Sequence, residues 1–221
     1  MFRPFLSIAA AGALTMAAAP AVAATDAADD FLATYTGPQD ASLDILQASA
    51  VFDGTSFHLS ATLASAPGAI EGSIYVWGIN RGGGAPRLTF GAPAVGPSVL
   101  FDAVAVMFPD GLGRIAILPE MGPPAITNLP GLIEVHGDTI RGVFDAALLP
   151  GNGFEPGDYT FTLWSRARVN PLFDGANSEI AAFAPDVGGF RAAVPEPAAW
   201  ALMILGLAAA GTAIRRRPVA A

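Results

Sequence analysis

The side chains that could do chemistry in this sequence are few and widely spaced. The chain has no cysteine and only two histidines, His58 and His136, and neither belongs to an H-E-x-x-H or similar cluster. A hydrolytic zinc site usually needs three protein ligands, and no serine stands in a G-x-S-x-G motif. We therefore interpret both histidines as ordinary surface or turn residues and expect a protein that is not an enzyme. A secreted hydrolase is the least favoured alternative.

Acidic side chains are plentiful, and calcium is the cation that they could bind. Extracellular β-proteins can hold Ca²⁺ with loop carboxylates and carbonyls, and the candidates here are Asp102, Asp110, Asp158 and Asp174. No EF-hand spacing or repeat ties them together. We expect no cofactor, with calcium kept as a minor alternative.

Three aromatic residues, Tyr75, Trp77 and Trp164, could form a platform on which sugar rings stack. Aromatic residues in strands belong more often to the core. The sequence leaves both roles open and favours the core.

The charge is strongly negative in the middle of the chain. Residues 25–193 contain 7 arginines and 18 acidic residues, for a net charge of −11. Nucleic-acid binding depends on cationic side chains that contact phosphates. The acidic middle therefore argues against a nucleic-acid partner and is typical of a solvated surface.

The N-terminus has the pattern of a secretory signal peptide. Arg3 precedes an apolar run over residues 5–19, and a helix-breaking proline and small residues follow. An A-x-A site at residues 21–23 predicts cleavage by signal peptidase after Ala23, with cleavage after Ala24 as the close alternative.

The C-terminus has the features of a short membrane span. Residues 198–214 are apolar or small, and 17 residues of helix span about 25 Å, which suits a thin bilayer. Pro195 and Pro197 keep the entry to this segment extended. Three terminal arginines resist translocation, so we expect the body outside the inner membrane and the arginines in the cytoplasm.

This tail resembles the PEP-CTERM sorting signal in its P-E-P-x-x-W-A form. Similar tails are also labelled as the C-terminal domain of ice-binding proteins, a label that implies no ice binding by the rest of the chain. The residues that carry the resemblance are Pro195, Glu196, Pro197, Trp200, Ala201, Gly206, Gly211, Arg215, Arg216 and Arg217.

The resemblance implies processing by an exosortase, a membrane transpeptidase that cuts near the P-E-P motif and releases or transfers the body. It implies a precursor anchored in the inner membrane with its body in the periplasm, and then a protein of the cell surface or extracellular matrix. Proteins with such tails are associated with extracellular polysaccharide and biofilm. A plain single-span anchor that is never cut is the alternative.

Between the two ends, short alternating segments predict strands. Residues 46–52 and 57–63 each place apolar side chains on one face, and Asp53-Gly54 between them predicts a two-residue hairpin turn. Similar segments at 73–79, 100–108, 114–118, 132–136, 139–148 and 158–169 bring the count to eight or nine strands. This pattern predicts an all-β fold, a single antiparallel β-sandwich or jelly-roll-like domain.

The predicted organisation has three parts. Residues 1–24 are the signal peptide, 25–193 the β-sandwich body, and 194–221 the sorting signal with its transmembrane helix at 198–214. Residues 192–194 are expected to form a flexible stalk. We expect a non-catalytic surface or matrix protein, with a glycan-binding module as the alternative.

Overall fold

The computed structural model describes residues 23–91, 93–167, 179–184 and 189–194. The predicted transmembrane helix, the sorting motif from Pro195 onward and nearly all of the signal peptide lie outside these residues. Within them, no helix is long and apolar enough to cross a membrane.

Strands are the main secondary structure of the described residues, as predicted, and fourteen are present there where eight or nine were expected. In chain order they are β1 (Ala23–Thr25), β2 (Ile45–Phe52), β3 (Ser56–Leu63), β4 (Ile74–Asn80), β5 (Ala85–Leu88), β6 (Gly96–Phe101), β7 (Ala103–Met107), β8 (Gly113–Ile117), β9 (Ala125–Leu129), β10 (Ile133–His136), β11 (Thr139–Asp145), β12 (Thr160–Arg166), β13 (Ile180–Ala184) and β14 (Phe190–Arg191). Single 3-10 turns lie at Ala146–Leu148 and Pro156–Asp158.

The strands form two large antiparallel sheets and a small hairpin. The five-stranded sheet has the order β1-β2-β3-β11-β10, and the seven-stranded sheet has the order β13-β12-β4-β7-β8-β9 with β14 beside β12. Strands β5 and β6 pair only with each other among the described strands. Because one apolar cluster takes residues from both large sheets, the two sheets pack face to face as a β-sandwich.

The core is made by the alternation of side chains along the strands. Inward residues of β3 such as Phe57 and Leu59 meet Trp77 of β4 and Phe161 of β12, all at most 1% exposed. Phe57 and Phe161 pack ring to ring with centroids 5.5 Å apart. This large-residue packing supplies the burial that a cysteine-free chain needs for its stability.

The β2–β3 hairpin is confirmed, but its turn lies one residue later than predicted. Phe52 pairs with Phe57, and the backbone N–H of Asp53 donates to the carbonyl of Ser56 at 3.1 Å, so Gly54 and Thr55 are central. The Asp53 carboxylate accepts the N–H groups of Thr55 and Ser56, both at 2.8 Å. Asp53 therefore caps the turn, and Gly54 provides the positive φ of 102°.

The predicted single strand at residues 100–108 is wrong. The chain bends at Asp102 between β6 and β7, because this buried carboxylate binds the loop that follows β4. Strand β6 consequently leaves the large sheet and pairs with β5.

The β5–β6 hairpin packs on the outer face of the seven-stranded sheet. A second apolar cluster joins Leu88, Val99 and Phe101 of the hairpin to Val76 of β4 and Trp164 of β12. One face of that sheet is therefore partly covered by its own chain, and β4, β12 and β13 bury side chains on both faces.

The last described segment crosses from one sheet to the other. Strand β14 pairs with β12, and Ala193 then forms a parallel bridge with Val51 of β2. Residues 189–194 thus make a connection between the sheets, which we call the strap.

Candidate functional site

The outward face of the five-stranded sheet carries mainly polar side chains, together with Val51 and Val143, and no described segment covers it. Strand pairing aligns Ser49, Ser60, Arg141 and Glu134 across four neighbouring strands. A shallow groove of about 340 Å³ lies over this row. The sheet thus presents hydroxyl, guanidinium and carboxylate groups together in one exposed place.

Two ionic clusters fix the charges on this face. Arg141 Nη2 donates to Glu134 Oε2 at 2.7 Å, and His136 Nε2 lies 3.3 Å from the same oxygen. Hydrogen bonds from Arg141 and His136 hold the pKa of the Glu134 carboxyl below its usual value. Glu134 is thus ionised and paired with Arg141.

Asp53 and His58 form the second cluster. His58 Nε2 lies 2.7 Å from Asp53 Oδ2, and both side chains are well exposed. This contact, together with N–H donors of Thr55 and Ser56, holds the pKa of the Asp53 carboxyl well below its usual range. The two histidines that the sequence offered therefore lie on the surface, each beside a carboxylate, as ordinary surface residues do.

Tyr75, Trp77 and Trp164 do not form an exposed platform. Tyr75 and Trp77 are 0% exposed and Trp164 is 3% exposed. Trp77 packs edge-on against Phe161, and Trp164 lies beneath the β5–β6 hairpin with its ring centroid 5.4 Å from that of Phe101. The core role applies to all three, and stacking of sugars on them is excluded in this fold because the core covers their faces.

The carboxylates considered for calcium are not brought together. Asp110 caps a turn by accepting the N–H of Leu112, and Asp158 pairs with Arg191 at 2.9 Å. Asp174 lies outside the described residues. Within residues 23–91, 93–167, 179–184 and 189–194, no group of three or more His, Asp or Glu side chains is placed to hold a metal ion.

Asp102 has a structural role that sequence reasoning missed. Its Oδ1 accepts both the backbone N–H and the Nε–H of Arg81, at 3.0 and 3.1 Å. Its Oδ2 accepts Asn152 Nδ2 at 2.7 Å and the N–H of Gly83 at 3.2 Å. Since Asp102 and Arg81 are 2% and 4% exposed, this is a buried ion pair that joins three loops at one end of the sandwich.

The predicted stalk at residues 192–194 is wrong for its first two residues. The N–H of Ala193 donates to the carbonyl of Ala50, and its carbonyl accepts the N–H of Phe52, both at 2.9 Å. Ala192 and Ala193 are only 7% and 8% exposed, whereas Val194 is 53% exposed. The folded body therefore extends to Ala193, and only Val194 separates it from Pro195.

The two ends of the body lie on the same edge of β2. Ala23 and Ala24, the predicted cleavage positions, pair with Ser49 and Ala48, and Ala193 bridges to Val51. Cleavage after Ala23 would leave two of the three residues of β1 in place. The predicted signal peptide and the sorting tail thus join the body at adjacent points.

Comparisons with known proteins identify the tail. No curated protein and no solved structure shows significant similarity to the chain. Residues 193–217 match the PEP-CTERM protein-sorting motif, so the sequence carries the sorting signal that its tail resembles, and this signal implies an exported protein that an exosortase processes at the membrane.

Proposed function

We propose that this chain is a non-catalytic protein of the cell surface or extracellular matrix, linked to extracellular polysaccharide. Signal peptidase removes the leader, and an exosortase then cuts the tail and releases or transfers the β-sandwich. The observation that carries the proposal is the sorting motif at residues 193–217, whose first residue is docked on β2.

The junction supports processing over permanent anchoring. An anchor needs only apolar length and flanking charge, and it makes no demand on Pro195-Glu196-Pro197. A transpeptidase needs an extended and accessible segment, which two prolines around one residue supply. The strap ends at Val194, so the enzyme meets this segment immediately outside the body.

The proposed topology places the body in the periplasm and Arg215, Arg216 and Arg217 in the cytoplasm. Alkaline phosphatase fused after Val194 is expected to be active, and a fusion after Ala221 inactive. The reverse pattern would refute this orientation.

Replacement of Pro195, Glu196 and Pro197 by alanine tests the processing step. The apolar run and the arginines are untouched, so insertion should persist and the uncut precursor should accumulate in the membrane. Immunoblots of wild type and variant in hosts with and without exosortase give the readout. If wild type and variant both keep the full tail in the exosortase-bearing host, the tail is only an anchor.

A second candidate function is glycan binding through the outer face of the five-stranded sheet. The groove over Ser49, Ser60, Glu134 and Arg141 favours it because these groups can donate and accept hydrogen bonds. Retention of the protein on isolated exopolysaccharide should fall for Arg141→Gln with Glu134→Gln, and should not fall for Asp110→Asn at a turn elsewhere. Equal retention of all three proteins would exclude this face as the binding site.

A further inference from the structure

The edge strands of the two large sheets are β1 and β10 in one and β13 and β9 in the other. Three of these four edges have features that hinder pairing with another chain, and β9 is the exception. On the edge of β2, β1 is only three residues long and Ala193 covers the next positions. The β10 edge carries Glu134 and His136. Short strands, charges and covering segments are the usual means by which edges avoid pairing with other chains.

The β13 edge is partly covered as well. The N–H of Leu32 donates to the carbonyl of Ala181 at 2.8 Å, and all five residues of β13 are buried. A segment of the chain itself therefore occupies that edge.

Strand β9 has neither a charged side chain nor a covering segment among the described residues, and the prolines that blunt a sheet edge, Pro124 and Pro130, lie just outside it. It pairs with β8 and is the last strand of its sheet. Its first four residues are exposed, and Ile126 is 55% exposed. Residues 121–133 contain no charged side chain at all.

We propose that β9 is a self-association surface, at which a second copy of this chain adds its own β9 antiparallel to extend the seven-stranded sheet across a twofold axis. A neutral strand suits a copy of itself, because like charges directly opposite each other would destabilise the pair. A twofold pair is also self-complementary and closes after two subunits.

The register follows from two prolines. Pro124 and Pro130 flank β9 and have no N–H to donate to a ladder. The pairable segment is thus residues 125–129, and the register that uses all five centres on Thr127. Thr127 then faces Thr127 of the second copy, and Ile126 faces Asn128 of the second copy at each end.

Cysteine crosslinking tests this geometry, because the chain has no cysteine of its own. Opposed residues of antiparallel strands have Cα atoms about 4.5–5.5 Å apart, within the range of a disulfide. The full chain with Thr127→Cys, exported in cells and treated with mild oxidant, should run as a disulfide-linked dimer on non-reducing gels. The matched control is Val135→Cys on the other edge strand, which is also partly exposed and should crosslink at least several-fold less.

Charge substitution then tests the register. Ile126→Asp with Asn128→Asp, added to Thr127→Cys, places two aspartates opposite each other at both ends and should abolish the dimer. Ile126→Lys with Asn128→Asp places lysine opposite aspartate and should restore it. Arg114 of β8 donates to the Asn128 side chain at 2.9 Å. Both variants carry Asn128→Asp, so any effect of this substitution on Arg114 is the same in the two variants.

Several results would overturn the proposal. They are equal crosslinking of Thr127→Cys and Val135→Cys, persistence of the dimer in the paired-aspartate variant, no rescue by the lysine–aspartate variant, and a disulfide to a different protein in place of the dimer.

Discussion

The buried pair of Asp102 and Arg81 gives the sharpest test of the fold. Asp102→Ala removes the acceptor of four N–H donors and leaves the Arg81 guanidinium in the core without its counter-charge. Two guanidinium contacts to backbone carbonyls persist, from Nη1 to Pro150 at 2.6 Å and from Nη2 to residue 102 at 3.5 Å. Removal of one partner from a buried ion pair costs about 3–5 kcal/mol.

That loss is large enough to measure directly. For a body of this size, about 2–4 °C of melting temperature is lost per kcal/mol, so Asp102→Ala should lower the transition by about 6–20 °C. Urea denaturation and calorimetry of the purified protein are the assays. Asp110→Ala is the matched control, because Asp110 is exposed and accepts only the N–H of Leu112 among the bonds described; it should have a small effect.

A loss of less than about 1 kcal/mol for Asp102→Ala would refute the network as described, since even one neutral hydrogen bond contributes that much. The purified wild-type protein also tests whether calcium binds. Both carboxylate oxygens of Asp102 are occupied by protein donors, so EDTA or added calcium should leave the melting temperature of the wild type unchanged.

Three further predictions concern the core, the surface and the strap. In the Trp200→Phe variant, tryptophan fluorescence should come only from Trp77 and Trp164. Because both side chains are buried, acrylamide should quench this fluorescence weakly until the protein unfolds. Strong quenching in the native state would contradict their burial. Asp53 has a lowered pKa, so it contributes stability that is present above the ordinary value of 3.8 and is lost as the pH falls through the lower folded value. Asp53→Asn should therefore lower stability at neutral pH and flatten its dependence below about pH 4, and an unchanged profile by denaturant titration would exclude this contribution. Phe190→Ala removes a ring that packs against Trp77 and Phe161 from the strap, and it should cost about 1–3 kcal/mol by urea denaturation; no loss would mean that this ring does not pack against the seven-stranded sheet.

The parts of the fold that could be read from the sequence are those with regular alternation. The β2–β3 hairpin shows apolar side chains at every second position, which predicts burial of one face, and β4 is apolar at nearly every position, which predicts burial of both faces. The predicted segments at 132–136 and 139–148 are also confirmed as neighbouring strands, since His136 pairs with Thr139.

The missed elements lack that signal. Strands β5 and β9 lie beside prolines and glycines and bury few side chains, so neither shows the alternation of apolar and polar residues that predicts a strand. The bend at Asp102 depends on Arg81, 21 residues earlier. No local sequence pattern predicts such a contact. The one relevant signal is Arg81 itself, a single arginine at the start of a glycine-rich loop.

The sorting tail, in contrast to these strands, could be recognised from the sequence alone. Order and spacing from Pro195 to Arg217 identified it from sequence, and the motif match confirms it. The strap could not be predicted, because Ala192 and Ala193 are small residues whose burial depends on the edge of β2 being free at residues 50–52.

The intact mass of the mature protein, purified from an exosortase-bearing host, tests the central claim most directly. We predict a chain that begins at Ala24 or Thr25 and ends close to the P-E-P motif, with the apolar run and the three arginines removed and the strap retained through Val194. A mature protein whose mass includes the tail through Ala221 would contradict processing at the motif.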